Sequence, residues 1–323
     1  MKIGCYGDVH LTKNMRTLQS LWDVTAFKSI HNMYDKFDNE NVEMVVCLGD
    51  FFDSPRLEAK HMRLVLPILQ DINSRSYPTY ILLGNHEAES EDSNILEMLG
   101  VYENIHPITD PQIIENMLFL PYYADPSQFD MKDKIVFTHH DIYGSALAGG
   151  KTHAFFGLDP SIFARAKRVF NGHVHLKSRV SDVIVNTGSF LISQQGELVL
   201  GEYPDIYFVD TRNGSYYVEP NKESMIYLTI DENEADKVVQ AGYDQTHCVL
   251  KVEYEDEIPD IFINTAHTTW RKKISSIESR ENKEVHMDSF DMNNYLIEYI
   301  NKSPDLSAAE KEDYIKTGLE ILS

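Results

Sequence analysis

The chain has 323 residues, of which 42% are hydrophobic and 25% are charged, and its formal net charge is −22. This length and composition allow a large globular core with a smaller accessory domain, and they exclude an intrinsically disordered or low-complexity protein. Because nucleic-acid binding depends on Lys and Arg contacts to phosphates, the acidic balance argues against a protein that holds nucleic acid through its overall electrostatic field.

Short apolar runs alternate with stretches of helical periodicity up to residue 190, a pattern typical of α/β architecture. Apolar residues at helical spacing predict two amphipathic helices with buried faces, namely Phe27, Ile30, Tyr34 and Phe37 in the first and Met62, Leu66, Leu69 and Ile72 in the second. Five predicted strands each end directly before a polar cluster: residues 2–7, 44–48, 80–83, 135–138 and 168–170. Because α/β folds place their chemistry in the loops after strand ends, these polar clusters are the candidate site.

The pattern changes after residue 182. Shorter apolar runs, including residues 198–201, alternate with turn residues and predict antiparallel strands that complete the sheets. A boundary is predicted near residue 222, so that residues 1–222 form the main domain and residues 223–280 form a small α+β accessory domain around a β-α-β unit. Residues 281–323 are predicted to form a C-terminal helical hairpin, because their apolar residues recur at helical spacing and a capping-box pattern opens the second helix.

Two of the polar clusters bring carboxylates to strand ends. Asp8 and His10, separated by one residue, follow the first strand, and Asp50 follows Gly49 after the second. Either pattern alone is common in turns and helix caps, so neither identifies a site by itself. A glycine before a carboxylate nevertheless keeps the backbone open to close approach, which favours Asp50 as a ligand.

Two further clusters carry imidazoles. In the sequence Gly-Asn-His-Glu at residues 84–87, the carbonyl of Asn85 can bind a metal without adding charge, while His86 stays free to act on a substrate. His173 and His175 occupy alternate positions of an extended segment, close enough to serve two neighbouring ions. These spacings are less often accidental than the first two.

The fifth cluster is the pair His139 and His140, which follows the run at residues 135–138. Either could be a ligand, and His139 is preferred because it is the first residue after the strand. Five separate clusters thus place oxygen and nitrogen donors at strand ends, and such donors suit borderline divalent metals. We therefore predict a metal centre at these clusters.

The order of the clusters, Asp-x-His, Gly-Asp, Gly-Asn-His-Glu, His and Gly-His-x-His, resembles the calcineurin-like metallophosphoesterase superfamily. This resemblance implies an α/β four-layer sandwich in which two mixed β-sheets are flanked by helices. It also implies two divalent metal ions, with Mn2+ expected and Mg2+ as the alternative. The implied ligands are Asp8, His10 and His175 for one ion, Asn85, His139 and His173 for the other, and Asp50 as the bridge between them.

The same resemblance implies how catalysis proceeds. Two ions roughly 4 Å apart lower the pKa of a bound water and neutralise charge on the phosphoryl oxygens, so that hydroxide attacks the phosphodiester in line. His86 is then the catalytic residue, either as general acid or as a donor that orients the phosphate, because the ordinary pKa of histidine lies near neutrality.

Four segments resemble the motifs of the SbcD family of double-strand-break repair nucleases more specifically: residues 8–11, 49–54, 172–175 and 186–189. This resemblance implies a double-strand DNA exonuclease and single-strand endonuclease that acts in DNA repair, recombination and replication. Basic side chains in nearby loops are candidates for DNA backbone contacts, although scattered surface charge is the more frequent explanation for any one of them. They are Lys13, Arg16, Arg56, Lys151, Lys177 and Arg179.

The SbcD resemblance also implies partners. Residues 223–280 would be a capping domain, and residues 281–323 would bind an SMC-like ATPase subunit, SbcC-like, in an SbcCD-type complex. A homodimer is implied through helices near residues 23–38 or 57–74. Two rival functions share the same ligands: a phosphatase or small-molecule phosphodiesterase, for which an acidic surface presents no difficulty, and a non-catalytic scaffold.

The sequence carries no signal for a membrane or for disulfides. Residues 1–9 lack the basic and apolar regions of a signal peptide, and no apolar run approaches the roughly 20 residues that span a bilayer. We therefore expect a cytoplasmic protein, or one in the host cytoplasm if it is virus-encoded. Cys5, Cys47 and Cys248 are far apart and are predicted to be buried free thiols.

Overall fold

A computed structural model describes residues 1–90, 93–147, 151–152, 156–254 and 265–272, together with Lys311. Met1–Lys273 form one compact unit, and Ile274–Ser323 form a second. The predicted helical hairpin at residues 281–323 lies outside the described residues, apart from Lys311.

The elements of the first unit follow one another in α/β order. The strands are β1 (Lys2–Tyr6), β2 (Met44–Cys47), β3 (Thr79–Leu82), β4 (Ala88–Ser90), β5 (Ser93–Asn94), β6 (Ile105–Ile108), β7 (Gln112–Ile114), β8 (Met117–Leu120), β9 (Ile135–Thr138), β10 (Ala146–Leu147), β11 (Lys151–Thr152), β12 (Arg168–Asn171), β13 (Ser178–Arg179), β14 (Ile184–Asn186), β15 (Asp205–Asp210), β16 (Ser215–Pro220), β17 (Ile226–Asp231), β18 (Cys248–Tyr254) and β19 (His267–Lys272). The α-helices are α1 (Gln19–Asn39), α2 (Met62–Asn73) and α3 (Ala235–Gln240). Short 3-10 helices lie at Arg16–Leu18, Ala59–His61, Ile95–Val101, Pro126–Gln128, Pro160–Phe163, Glu232–Glu234 and Gln245–His247.

Two mixed six-stranded sheets form the body of the protein. The first has the order β16-β15-β1-β2-β3-β6, with β1, β2, β3 and β6 parallel and β15 and β16 antiparallel at one edge. The second has the order β13-β14-β12-β9-β8-β7, with a parallel centre and an antiparallel strand at each edge. Parallel central strands need cover on both faces, which explains why they read as continuous apolar runs.

Strand β1 shows how the layers are built. Because successive side chains point to opposite faces, Ile3 and Cys5 lie in the core between the two sheets, whereas Gly4 and Tyr6 face the layer of α1 and α2. The outer face of the second sheet is covered by 3-10 helices and loops, with Phe163 at the centre of that cluster. The predicted four-layer α/β fold is confirmed.

The two long helices were predicted in the right places, but the predicted buried faces were partly wrong. Phe27 is 38% exposed and Leu66 is 39% exposed. In α1 the buried stripe passes through Ala26 and Ile30, and in α2 it includes Val65. Ile30, Tyr34 and Phe37 of α1, and Leu69 and Ile72 of α2, are buried as predicted. The apolar stripe of each helix therefore keeps most of its predicted residues, and Phe27 and Leu66 lie at its edge.

The last described part is a separate three-stranded parallel sheet with the order β17-β18-β19, accompanied by α3. This accessory sheet has its own apolar cluster, to which Ile192 and Leu198 contribute from the main body. The strand predicted at residues 198–201 is wrong: these residues lie in a loop, and Leu198 is apolar because it packs against the accessory sheet. The β-α-β elements match the prediction, whereas the domain boundary at residue 222 stays a prediction.

Cys5, Cys47 and Cys248 are buried free thiols, as predicted. Across the described part of the chain, no helix is both long enough and apolar enough to cross a membrane.

We predict that Gly4→Ala destabilises the fold by about 1–3 kcal/mol, because a core that is already close-packed tolerates an added methyl group poorly. A Cβ at Gly4 would lie 2.4 Å from the ring of Phe37, which is fully buried. Urea denaturation followed by circular dichroism measures the change. The control is Gly100→Ala, because a Cβ there meets no atom within 4 Å. Equal stability of the two variants would contradict this packing argument.

Candidate metal centre

The predicted site residues all follow the carboxyl ends of parallel strands. Those strands are β1, β2 and β3 in the first sheet and β9 and β12 in the second, and the two sheet edges meet at one place. Asp8, His10, Asp50 and His139 are fully buried there, while the neighbouring histidines retain some exposure. The structure brings together all eight residues singled out in the sequence.

Several of these residues are held in a left-handed backbone conformation. The residues and their φ angles are Asp8 at 52°, His10 at 48°, Asp50 at 50° and His173 at 67°. Residues with side chains rarely adopt such angles, each of which costs about 1–3 kcal/mol, and in proteins they cluster at functional sites. The sharp turns they produce direct four side chains into one small volume.

The glycines of the motifs are required by close approach. A Cβ on Gly84 would lie 2.1 Å from Asp50 Oδ1, and a Cβ on Gly49 would lie 2.5 Å from His139 Nδ1. The same atom of His139 would lie 2.8 Å from a Cβ on Gly172. Each glycine therefore leaves the space that the side chain of Asp50 or His139 occupies.

The first group of donor atoms comes from Asp8, His10, Asp50 and His175, each of which offers one atom within 4.8 Å of the others. The Nε2 atoms of His10 and His175 are 3.1 Å apart. The buried Oδ2 atom of Asp8 has no hydrogen-bond partner among the described residues. Since an unpaired buried carboxylate oxygen is costly, this arrangement is suited to a cation.

The second group consists of Asp50, His139 and His173, again within 4.8 Å of one another. The Oδ1 atom of Asn85 joins them, at 3.1 Å from His139 Nε2 and 2.8 Å from His173 Nδ1. Asp50 belongs to both groups. The geometry thus provides two adjacent sites with one carboxylate between them.

Hydrogen bonds on the far side of the rings determine which nitrogen faces the cluster. His139 Nδ1 donates to the carbonyl oxygen of Leu48 at 2.7 Å, and His173 Nε2 lies 3.0 Å from Asp141 Oδ2. When a ring is neutral, its opposite nitrogen therefore presents a lone pair to Asn85 Oδ1. Facing lone pairs repel one another unless a cation lies between them, and these oxygen and nitrogen donors fit a divalent metal.

The choice between His139 and His140 can also be addressed. The Nε2 atom of His140 donates to the carbonyl of Ala124 at 2.9 Å, and its Nδ1 atom is bonded to the hydroxyl of Thr138. Burial lowers the pKa of His140 to about 4. Both nitrogens are therefore engaged away from the cluster, which favours His139 as the ligand; the ligand roles themselves stay predictions.

Glu87 has a role that the sequence analysis did not assign, although it belongs to the Gly-Asn-His-Glu motif. Its buried carboxylate accepts hydrogen bonds from the backbone N–H groups of Gly84 at 2.9 Å, Asp50 at 3.1 Å and Phe52 at 2.8 Å. Burial and the charge of Asp50 raise its pKa to about 8. Glu87 therefore fastens the loop after β3 to the loop after β2.

Three acidic residues that sequence reasoning missed contact the ring nitrogens of the cluster from outside. Asp53 Oδ1 lies 3.3 Å from His10 Nδ1, Asp141 contacts His173 as described above, and Glu197 Oε1 is hydrogen-bonded by His175 Nδ1. Metal-binding histidines in proteins almost always have such outer partners. An acidic residue within a few positions of a motif, such as Asp53 or Asp141, is the one signal that sequence offers for them.

Comparison with known proteins assigns the family. The sequence model described as calcineurin-like phosphoesterase matches residues 1–177, more than half of the chain. The chain belongs to this family. Calcineurin-like phosphoesterases are hydrolases with a dinuclear divalent-metal centre, and the two donor groups around Asp50 provide residues that could bind such a centre. No curated protein sequence matches the chain.

Solved structures similar to this calcineurin-like phosphoesterase include three with different activities. An archaeal phosphodiesterase is 19% identical, with a TM-score of 0.35, and the match covers 68% of this chain and 99% of that one. The Pseudomonas putida nuclease MPE is 15% identical, with a TM-score of 0.33, and the match covers 67% of this chain and 87% of that one. A purple acid phosphatase from yellow lupin (Lupinus luteus) seeds is 14% identical, with a TM-score of 0.35, and the match covers 55% of this chain and 38% of that one. At these values none of them assigns a substrate to the chain.

We predict that metal binding releases protons and strengthens as the pH rises towards 9. Burial alone would lower the pKa of His139 and of His175. For His139 the negative charge of Asp50 outweighs burial, and for His175 the hydrogen bond to Glu197 does so. Each pKa is therefore raised to about 9. At about pH 7.5 each ring carries a proton that a metal must displace, so binding should release close to two protons.

Calorimetric titration with Mn2+ in buffers of different ionisation enthalpy measures this release. Asp50→Asn is the control, because it removes the charge that raises the pKa of His139 and should reduce both affinity and proton release. An affinity independent of pH between about 6.5 and 8.5 would contradict the prediction.

Proposed function

We propose that the chain is a metal-dependent DNA nuclease of the SbcD type, which hydrolyses phosphodiester bonds at a dinuclear centre. The observation that carries the proposal is the pair of donor groups that share Asp50. Asp8, His10 and His175 would hold one ion, and Asn85, His139 and His173 would hold the other. Bound divalent ions, which we propose to be Mn2+, supply an activated water and neutralise charge on the phosphate.

His86 is suited to proton transfer beside this centre. Its Nδ1 atom donates to the backbone carbonyl of Asp53 at 3.0 Å, and its ring meets that of His10 edge to face at 4.6 Å between centroids. These contacts fix the ring and leave Nε2 as the nitrogen that can carry a proton. The side chain is 35% exposed, so a substrate oxygen can reach it. His86 would therefore donate a proton to the leaving oxygen.

A basic cleft beside the centre supports a polyanionic substrate. The cleft has a volume of about 550 Å³ and begins at Leu11, the residue after His10. Its lining includes Arg16, Lys60, His61 and Arg63, against one carboxylate, that of Asp23. Arg16 and Arg63 make no ion pair within the described part of the chain. Phosphates of a nucleic acid would find local positive charge here despite the acidic surface.

Three other basic side chains considered for DNA contact are already engaged in ion pairs. Lys13 pairs with Asp53 at 2.9 Å, and Arg56 pairs with Glu89. Lys177 lies 3.2 Å from both Glu202 and Asp205. Among the candidates whose side chains the structure describes, Arg16 lines the cleft, so we propose it as a backbone contact.

The rival functions differ in what supports them. The net charge of −22 is compatible with a phosphatase or a small-molecule phosphodiesterase, but the basic cleft is a feature that such an enzyme would not need. A scaffold would not need the converging donor atoms around Asp50. These two features together favour a nuclease.

We also propose two protein partners. Exposed apolar side chains on α1 and α2, namely Val24, Phe27 and Leu66, support a homodimer through these helices. An SMC-like ATPase would bind the segment at residues 281–323, which lies outside the described residues. A basic surface on that ATPase would compensate for the acidic charge of the chain.

The substrate class is tested with end-labelled linear duplex DNA and Mn2+, with and without an SMC-like ATPase. We expect degradation that chelation by EDTA abolishes, because the acceptor groups around Asp50 need cations to bind phosphate. The parallel substrates are p-nitrophenyl phosphate and bis(p-nitrophenyl) phosphate. Rapid hydrolysis of these compounds, without cleavage of DNA in any condition, would contradict the proposed nuclease activity but would still be consistent with the proposed metal centre.

We predict that His86→Ala retains Mn2+ binding but lowers kcat by about 10²- to 10⁴-fold, the usual contribution of a general acid. Single-turnover cleavage measures the rate, and calorimetry measures the bound metal. His106→Ala is the control, because His106 lies on β6, packs at a tilt against Tyr80 and belongs to neither donor group. Loss of both metal and activity in His86→Ala would instead make His86 a ligand.

A further inference from the structure

Glu197 is a buried carboxylate that the proposed chemistry does not use. It is 3% exposed and lies in the loop between β14 and β15. Its Oε1 atom accepts a hydrogen bond from His175 Nδ1, and its Oε2 atom accepts from the backbone N–H groups of Ser193 at 2.7 Å and Gln194 at 3.0 Å. Both oxygens therefore have defined partners, and the carboxylate cannot rotate without breaking them.

This contact determines the state of His175. A carboxylate only accepts hydrogen bonds, so Nδ1 of His175 carries a proton whether the ring is neutral or charged, and Nε2 is the nitrogen that can offer its lone pair to a metal. That Nε2 atom lies 3.1 Å from Nε2 of His10, inside the first donor group. A histidine held by a carboxylate in this way has a fixed ring orientation and is a more basic ligand.

The loop that carries Glu197 is held on its other side by the accessory sheet. Ile192 and Leu198, which flank the turn, belong to the same apolar cluster as Leu228 and Leu250 of β17 and β18. A few residues further on, the hydroxyl of Tyr243 accepts from Gly201 N at 2.6 Å and donates to the carbonyl of Glu202 at 2.9 Å. The loop thus contacts both His175 and the accessory cluster.

We propose that Glu197 is a positioning residue for the metal centre, and that the accessory sheet holds it against His175. The packing of the accessory sheet then sets the metal affinity of the first donor group, while the second group, around His139, does not depend on it. This inference rests on the metal centre proposed above and is independent of DNA as the substrate. A purely structural role for Glu197 would not distinguish between the two groups.

The experiment measures Mn2+ binding to the full chain by electron paramagnetic resonance and calorimetry. Glu197→Gln should weaken one of the two sites by about 10- to 100-fold, the usual effect of losing an outer-shell partner, and leave the other unchanged. Asn85→Ala identifies the other site, because Asn85 contacts the second donor group alone. The matched control is Glu202→Gln: Glu202 lies in the same loop, but its carboxylate pairs with Lys177 and touches no proposed ligand.

The role of the accessory sheet is tested by Tyr243→Phe, which keeps the ring and removes the two hydrogen bonds to the loop. It should weaken the same site by about 2- to 10-fold, as expected for coupling through a packed contact. Val239→Ala, a change at an exposed residue of α3, is the control and should have no effect. An unchanged affinity in Tyr243→Phe, or an equal loss in Val239→Ala, would overturn the coupling.

The outcomes separate this inference from the proposed function. A wild-type chain that binds two Mn2+ ions, together with Glu197→Gln affinities within about twofold of wild type, would overturn the positioning role and leave the proposed function intact. An equal loss at both sites with a lower melting temperature would also overturn it, because that result indicates a structural role. A wild-type chain that binds no Mn2+ would overturn the metal centre and this inference with it.

Discussion

The buried charge of Asp50 is the constraint around which the site is organised. Burial alone would raise its pKa, yet the charge and hydrogen bond of His139, with the charge of His10, hold that pKa well below its usual range. The carboxylate is therefore ionised in the interior, where an uncompensated charge is strongly destabilising. One oxygen also accepts from the backbone N–H of His86 at 3.0 Å. Both donor groups, and the role proposed for His86, depend on this fixed negative charge.

The two-sheet fold provides the place where such a charge can be held. Carboxyl ends of parallel strands from both sheets meet at one edge, so short loops of different strands converge without long excursions of the chain. The left-handed turns at Asp8, His10 and Asp50 are unfavourable by about 1–3 kcal/mol each, and they persist because the flanking strands are buried on both faces. The apolar packing of the strands therefore stabilises the strained backbone conformation of the site.

Sequence reasoning predicted the donor residues because each follows a strand and belongs to a short pattern of few residue types. It did not predict Glu197, which meets His175 across 22 positions through a loop, since a single acidic residue in a loop carries no periodic signal. The same limit explains the error at residues 198–201: Leu198 is apolar because it packs against the accessory sheet, not because it lies in a strand. The edge positions of Phe27 and Leu66 depend on how each helix is rotated, which a repeat of 3.6 residues does not fix to within one position.

The net charge of −22 is compatible with the proposed affinity for DNA, because most acidic groups are too far from the cleft to act on it through salt solution. At physiological salt the Debye length is about 8 Å, so acidic groups on remote faces contribute little at the cleft that contains Arg16 and Arg63. Close to the centre, the carboxylates of Asp8 and Asp50 would repel a phosphate until cations are bound between them and it. The acidic body would then disfavour non-specific binding along DNA, because that binding rests on summed phosphate contacts. If the proposed function is right, productive binding would require the loaded metal centre, and a basic partner would strengthen it.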